Sequence, residues 1–399
     1  MQFNLSSKHT LLLVLYLIVY LSAISFGFGF NHELWVDEGH FYKTIKLFTV
    51  DFSVETLRTY NEVISPLTFI IYALWAKIFG TDLAILRVFS LLVAFVTYCR
   101  FYQLLQYHFN GQWALLLTIF LSLNPYMIGV SFFCYTDMLT VLLSIEIALT
   151  IISTSVFRLL IFSILALYAR QYNITVLIAV GLYYLLIKNE MGQINWKNAF
   201  LMFVPLLAFL PLAILWKGLA PDSEMHSLLN NYSYHYQLIA LTTYAYTVCI
   251  YCTPFSTIWL FRNYSLQLKE LLFVTALTSG FYYFYPVTAA ACSIHDGSYT
   301  VGLFHKVLVM VFKNNYVVHL VLFLAVLVAV ITLVQLIKKI IPYLLVYKPD
   351  SIKLFYLLNV MTLFLVLPFS YQIWEKYVLN ILPFCLILFA QVFEKEKVD

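Results

Sequence analysis

Two adjacent carboxylates follow the first apolar run directly, in His32-Glu33-Leu34-Trp35-Val36-Asp37-Glu38-Gly39-His40-Phe41. At a bilayer edge an acid pair flanked by His40 and aromatic residues suits a general base. Burial near the headgroups raises a carboxylate towards the range in which it accepts a proton. The same acids would also serve as the start of an amphipathic helix, since Asp and Glu favour helix N-termini. Another acid, Asp137, follows Asn124-Pro125 and opens a later apolar run. It reads either as a helix cap or as an ionisable group that membrane proteins keep for function. Arg170 interrupts apolar sequence in Tyr168-Ala169-Arg170-Gln171-Tyr172-Asn173 and requires an anion. A phosphate held through both arms of the guanidinium would satisfy it, and so would a salt bridge to Asp137 or Glu38. Lys376, in Trp374-Glu375-Lys376-Tyr377, offers a second cation at the height of a lipid phosphate. Trp374 and Tyr377 are equally suited to interfacial anchoring.

The elements that carry these residues are apolar throughout. Of 399 residues 63% are hydrophobic and only 11% charged, less than half the charge of a soluble domain. Apolar runs fall near 10–30, 64–80, 82–106, 112–129, 138–155, 156–170, 172–187, 198–216, 237–261, 270–291, 317–337, 353–370 and 377–393. Most are long enough to cross a hydrocarbon core about 30 Å thick. The first reads as a retained helix, because no small-x-small cleavage site follows it. The segment 64–80 is the weakest and suits an interfacial or re-entrant helix under the loop before it. Leaving it out gives twelve spans with both termini cytoplasmic. That arrangement places thirteen of the 23 Lys and Arg inside, whereas a crossing at 64–80 would turn the Lys338–Lys353 cluster outward, against the positive-inside rule. The expected architecture is therefore all-α, about twelve transmembrane helices in one domain over 1–399, with interfacial helices within 31–81. It brings the 31–63 loop, Asp137, Arg170 and Lys376 to one non-cytoplasmic face.

The net charge of +4 is spread out, with no basic tract suited to nucleic acid. Cys249 and Cys252 form a C-x-x-C inside an apolar run and read as small residues on a helix face rather than a metal or redox pair.

With these pieces in place the chain resembles the GT-C superfamily, multi-pass glycosyltransferases that use polyprenyl- or dolichyl-phosphate sugars. Asp37-Glu38-Gly39-His40-Phe41 resembles the acidic first-loop motif of the protein O-mannosyltransferases, and Ser65-Pro66-Leu67 with Ile78-Phe79-Gly80 their following segment. Asn124-Pro125 and Thr136-Asp137 resemble the second acidic loop. Lys376-Tyr377 with Leu382-Pro383 is similar to a late R-Y-L-L-P-x-L-P element, with Lys in place of Arg. Arg170-Gln171-Tyr172-Asn173-Ile174 is similar to an R-Q-T-N-I element of the dolichyl-phosphate-glucose α-1,2-glucosyltransferase. Trp216-Lys217-Gly218, His226 and Tyr236-Gln237-Leu238 are similar to a further stretch of that enzyme. The chain is shorter than the O-mannosyltransferases and lacks their tandem luminal domains.

The resemblance implies transfer of a sugar, with inversion, from a lipid-phosphate donor to an acceptor hydroxyl on a glycan, lipid or protein. It implies Asp37 as the base, and Glu38 or Asp137 orienting the acceptor or steadying charge on the sugar. Arg170 and Lys376 would hold the departing phosphate. His40, Gln171, Asn173 and Tyr377 would line the substrate site. Phosphate is already a good leaving group, so neither metal nor other cofactor is expected. A multi-pass transporter or lipid-linked-sugar flippase is the rival; its inverted repeat with matched broken helices is not visible. The three sequons, at Asn173, Asn231 and Asn263, do not assign a compartment, and a compact chain suits a bacterial inner membrane better than the ER.

Overall fold

A computed structural model describes residues 8–35, 37–187, 196–221, 236–287, 302–345, 352–370 and 373–393. Among them every regular element is helical, as expected of an all-α membrane protein. Among the described residues five helices, or stretches of helix, are long and apolar enough to cross a membrane: Lys8–Phe28, Leu83–His108, Trp196–Trp216, Asn315–Lys339 and Ile352–Phe369. A sixth is the pair Gly111–Ser122 and Pro125–Phe132, bent by 76°. The sequence expectation of twelve runs finer than this, because several apolar runs are broken. The run at 237–261 divides into Ile239–Tyr251 and Phe255–Asn263. The last run, 377–393, begins inside a tight turn, Glu375–Asn380, that precedes the eight-residue helix Leu382–Phe389. A further apolar helix, Leu303–Phe312, lies where the sequence reading has a loop.

The chain forms two compact units. The first holds residues 1–177, 197–228 and 393–399. Its elements are α1 (Lys8–Phe28), α2 (Glu38–Val50), α3 (Val54–Thr59), α4 (Leu67–Phe79), α5 (Leu83–His108), α6 (Gly111–Ser122), α7 (Pro125–Phe132), α8 (Asp137–Ile152), α9 (Val156–Ala169), the start of α10 (Ile174–Leu186), α11 (Trp196–Leu201) and α12 (Phe203–Trp216). Helices in lipid associate through close packing and polar side chains rather than through the hydrophobic effect, and the interior of this unit follows that rule. Ser131 and Ser144 return their hydroxyls to carbonyls four residues back, while Tyr98 reaches Ser131 at 2.8 Å.

Ion pairs fix the direction of the helices. Arg87, near the start of α5, donates to the carbonyls of Phe30 and His32 at 2.9 Å each, so α5 begins where α1 ends. Everything between them, α2 to α4, returns to the end it leaves. At about 1.5 Å per residue the thirteen residues of α4 fall well short of the hydrocarbon thickness. Arg100, farther along α5, pairs with Glu146 of α8, Nη2 to Oε2 at 2.8 Å. Since Arg87 sits beside the chain entering α8 and Arg100 beside its later turns, α5 and α8 run the same way, and α6 with α7 carries the chain back. A cysteine at Glu33 and one at Ser153 are therefore expected to react with an impermeant thiol reagent from opposite faces of the membrane. Labelling of both from one side would overturn this direction.

The second unit holds residues 178–196 and 229–392, with α13 (Ile239–Tyr251), α14 (Phe255–Asn263), α15 (Leu268–Phe284), α16 (Leu303–Phe312), α17 (Asn315–Leu345), α18 (Ile352–Val366) and α19 (Leu382–Phe389). A capping box, Gln267 with Glu270, starts α15. Lys338 of α17 joins Glu270 at 2.7 Å, and Tyr282 of α15 donates to the carbonyl of His319 on α17. These contacts set α15 and α17 antiparallel.

Candidate active site

Asp37 precedes α2 as its N-cap residue, yet with helical backbone angles and no capping hydrogen bond from its side chain. The carboxylate is thus not consumed in starting the helix, and its side chain stays 29% exposed. One residue on, Glu38 has the opposite fate. It is fully buried, opposite a fully buried Arg87. The guanidinium meets it through two arms, Nε to Oε1 at 3.1 Å and Nη2 to Oε2 at 2.7 Å. Glu38 also accepts from the backbone N–H groups of Trp35 and Cys134, both at 3.1 Å. Phe132 and Phe133 cover the guanidinium. An acid so enclosed is an anchor for the 29–38 segment and has no lone pair turned to solvent chemistry, a narrower part than the acceptor-orienting one the resemblance implies.

Tyr135 links this segment to the second acid. Its hydroxyl donates to the Trp35 carbonyl at 2.9 Å. Burial pushes its phenol well above the ordinary range, with the charges of Asp37, Glu38 and Asp137 adding to the effect. Tyr135 thus lies within electrostatic reach of all three carboxylates. Asp137, in the first turn of α8, is buried and salt-bridged to Arg170. Of the two salt bridges open to Arg170 in the sequence, to Asp137 or to Glu38, the one to Asp137 is formed. Thr136 makes no side-chain cap. Arg170 also donates to the Tyr172 hydroxyl at 3.0 Å, with its guanidinium over that ring at 4.8 Å.

Gln171 and Asn173 hold the segment that presents Arg170. Gln171 donates to the carbonyls of Val63 and Leu219 at 3.0 and 2.9 Å and accepts from the Ser65 N–H at 3.2 Å. Asn173, fully buried, donates to the Ala166 carbonyl at 2.7 Å and so closes the end of α9. The Gln171 amide and the Asn173 amide nitrogen are spent on backbone groups, which places both residues as staples where the resemblance implies substrate contact.

His40 stands between two acids on the exposed side. Its Nδ1 lies 2.6 Å from Oε1 of Glu62, and its Nε2 3.7 Å from Oδ1 of Asp37. Burial alone would lower the imidazole, but Asp37 and Glu62 outweigh it and push His40 up to about 9. Glu62 is raised by burial and drawn partly back by His40. The arrangement is a protonated imidazole between two carboxylates.

Lys376 and Tyr377 belong to the second unit. Lys376 lies over the Trp374 ring at 5.3 Å, and Tyr377 is buried. The preceding residue, Glu375, is fully buried and accepts from the hydroxyls of Tyr246 and Tyr251 at 2.7 and 2.5 Å and from the N–H of Phe304, at the start of α16, at 3.3 Å. A Cβ on Gly302 would fall 2.1 Å from the Glu375 Cδ, so a side chain there would have to displace the Glu375 carboxylate. His226 lies outside the described residues. Among the described residues no group of three or more His, Cys, Asp or Glu is placed to hold a metal.

Sequence reasoning passed over Arg87, Glu62, Tyr135 and Glu375. Arg87 carried a signal, since an arginine at the head of an apolar run must find a carboxylate. Glu62 carried none, because its meaning comes from a histidine 22 residues away. Among the described residues, clefts also lie apart from Asp37, Glu38 and Asp137. One of about 460 Å³ runs between α15 and α17. Another, of about 260 Å³, is lined by Arg100, Gln103, Glu146 and Arg158 at the far end of the first unit. No protein-family model, curated protein or solved structure compared with the chain matches it.

Proposed function

We propose that the chain is a membrane glycosyltransferase that moves a sugar, with inversion, from a polyprenyl- or dolichyl-phosphate carrier to an acceptor hydroxyl on the non-cytoplasmic side. The reading takes twelve spans, with α2 to α4 outside them. One observation carries it: of the two adjacent acids at the head of α2, Glu38 is locked to Arg87 while Asp37 remains accessible and unused by the helix. A partly exposed carboxylate among aromatic residues at the start of an outer segment is the arrangement a general base requires. In this reading Asp37 takes the acceptor proton as the hydroxyl oxygen attacks the anomeric carbon. The bond from that carbon to the phosphate oxygen breaks, and the lipid phosphate leaves with the electron pair. Arg170, steered by Asp137 and Tyr172, supplies N–H donors to the growing phosphate charge. The lipid tail stays in the bilayer while the sugar reaches water.

The test is a transfer assay in membranes with labelled polyprenyl-phosphate sugars, paired with a flux assay in proteoliposomes. Transfer without flux supports the reading, and flux of lipid-linked sugar without transfer overturns it. Arg170→Lys keeps the charge but loses the planar fork. The variant is expected to raise the KM for donor about tenfold, the loss of roughly one charge-assisted hydrogen bond. An unchanged donor KM would remove Arg170 from the phosphate site.

A further inference from the structure

Glu62 is 1% exposed and lies in the outer segment between α3 and α4, where a carboxylate needs a reason to remain. Its surroundings supply one. The Oε1 atom meets His40 Nδ1 at 2.6 Å and accepts from the Thr44 hydroxyl at 3.3 Å. The turn that carries it is pinned by the Tyr60 hydroxyl, which donates to the Ile64 carbonyl at 2.6 Å, and by Gln171 on either side of Ile64. Phe41 packs edge-on against the His40 ring at 4.6 Å. The imidazole is thus held at one nitrogen by a buried acid on a fixed turn, and the other nitrogen faces Asp37.

We infer that Glu62 and His40 form a positioning relay to Asp37, in which the buried Glu62 carboxylate holds the His40 ring at one nitrogen and the other nitrogen orients Asp37. The inference rests on the proposed role of Asp37 as base; Glu62 and His40 are positioning residues that act through it. Among the neighbouring titratable and charged groups, Tyr60 stands beside Glu62, and Tyr135, with Asp137 beyond it, beside Asp37. Glu38 is neutralised by Arg87, and Lys43 and Lys46 are exposed on α2. The raised His40 agrees with the geometry. Its folded value of about 9 stands above the ordinary 6.5, so its contribution to stability is complete below about pH 6.5 and is lost as pH rises through about 9.

The relay is tested by deuterium exchange at the imidazole C2, which reports each histidine's protonation peptide by peptide through mass spectrometry. In the intact protein in detergent the His40 midpoint is expected near pH 9. In Glu62→Gln it should fall by about one unit or more towards the ordinary value, with the transfer rate dropping about tenfold. Glu62→Asp, which keeps the charge, should restore part of both. Elution of each variant at the wild-type volume in size-exclusion chromatography confirms folding. An unmoved His40 midpoint in folded Glu62→Gln overturns the relay. So does a moved midpoint with wild-type transfer, provided Asp37→Asn is inactive. Full activity in Asp37→Asn instead overturns the transferase assignment of Asp37, leaving the exchange result on Glu62 and His40 to stand by itself.

Discussion

Asp37→Asn is expected to lower sugar transfer by about 10²–10⁴-fold, the span that a positioned general base contributes, while leaving the amount of folded protein unchanged. The amide has nearly the shape of the acid but cannot take a proton at neutral pH. Because the Asp37 side chain caps no helix and is only partly buried, its loss costs the fold little beyond its share of the pair with His40. The effect should appear in kcat more than in the KM for acceptor, since a base acts as the hydroxyl attacks. Membranes carrying the variant, assayed with labelled polyprenyl-phosphate sugar, provide the measurement, and transfer near the wild-type rate would reject Asp37 as the base.

The second large effect falls on stability. Arg87→Met should destabilise the protein by about 3–5 kcal/mol, because it leaves the fully buried Glu38 without its counter-charge. It also frees the carbonyls of Phe30 and His32, both held by Nη1. Combining it with Glu38→Leu removes the orphaned charge and is expected to recover part of the loss, though not the carbonyl hydrogen bonds. Thermal unfolding in detergent compares the two. If the single variant melts with the wild type, the pair is not the anchor described. Arg87→Lys should behave more like Arg87→Met than like the wild type, since a lysine cannot meet two carboxylate oxygens and two carbonyls together.

The helical architecture was legible in the sequence because apolar run length reports it almost directly. Lys8–Phe28 and Leu83–His108 lie within two residues of the runs read at each. The breaks were less legible. Asn124-Pro125 marks the bend before α7, and Pro254 marks the division between Tyr251 and Phe255 in the same way, a signal that hydropathy alone passes over. At the site, residue type pointed to Asp37, Asp137 and Arg170, but type does not say which acid faces inward. Asp37 and Glu38 are neighbours in the chain, and Arg87, 49 residues later, makes them differ. Gln171 and Asn173 show the same limit: an amide that binds backbone looks in the sequence like one that binds a sugar.

The grip of Arg87 on the peptide leaving α1 leaves little slack there. On the proposed function, a carboxylate seated on that peptide moves with α1 and does not reach out to reactants of different sizes. Selectivity among acceptors would then fall to whichever parts of the protein bring each acceptor to a stationary acid, and substitutions that broaden the acceptor range should gather away from residues 29–38.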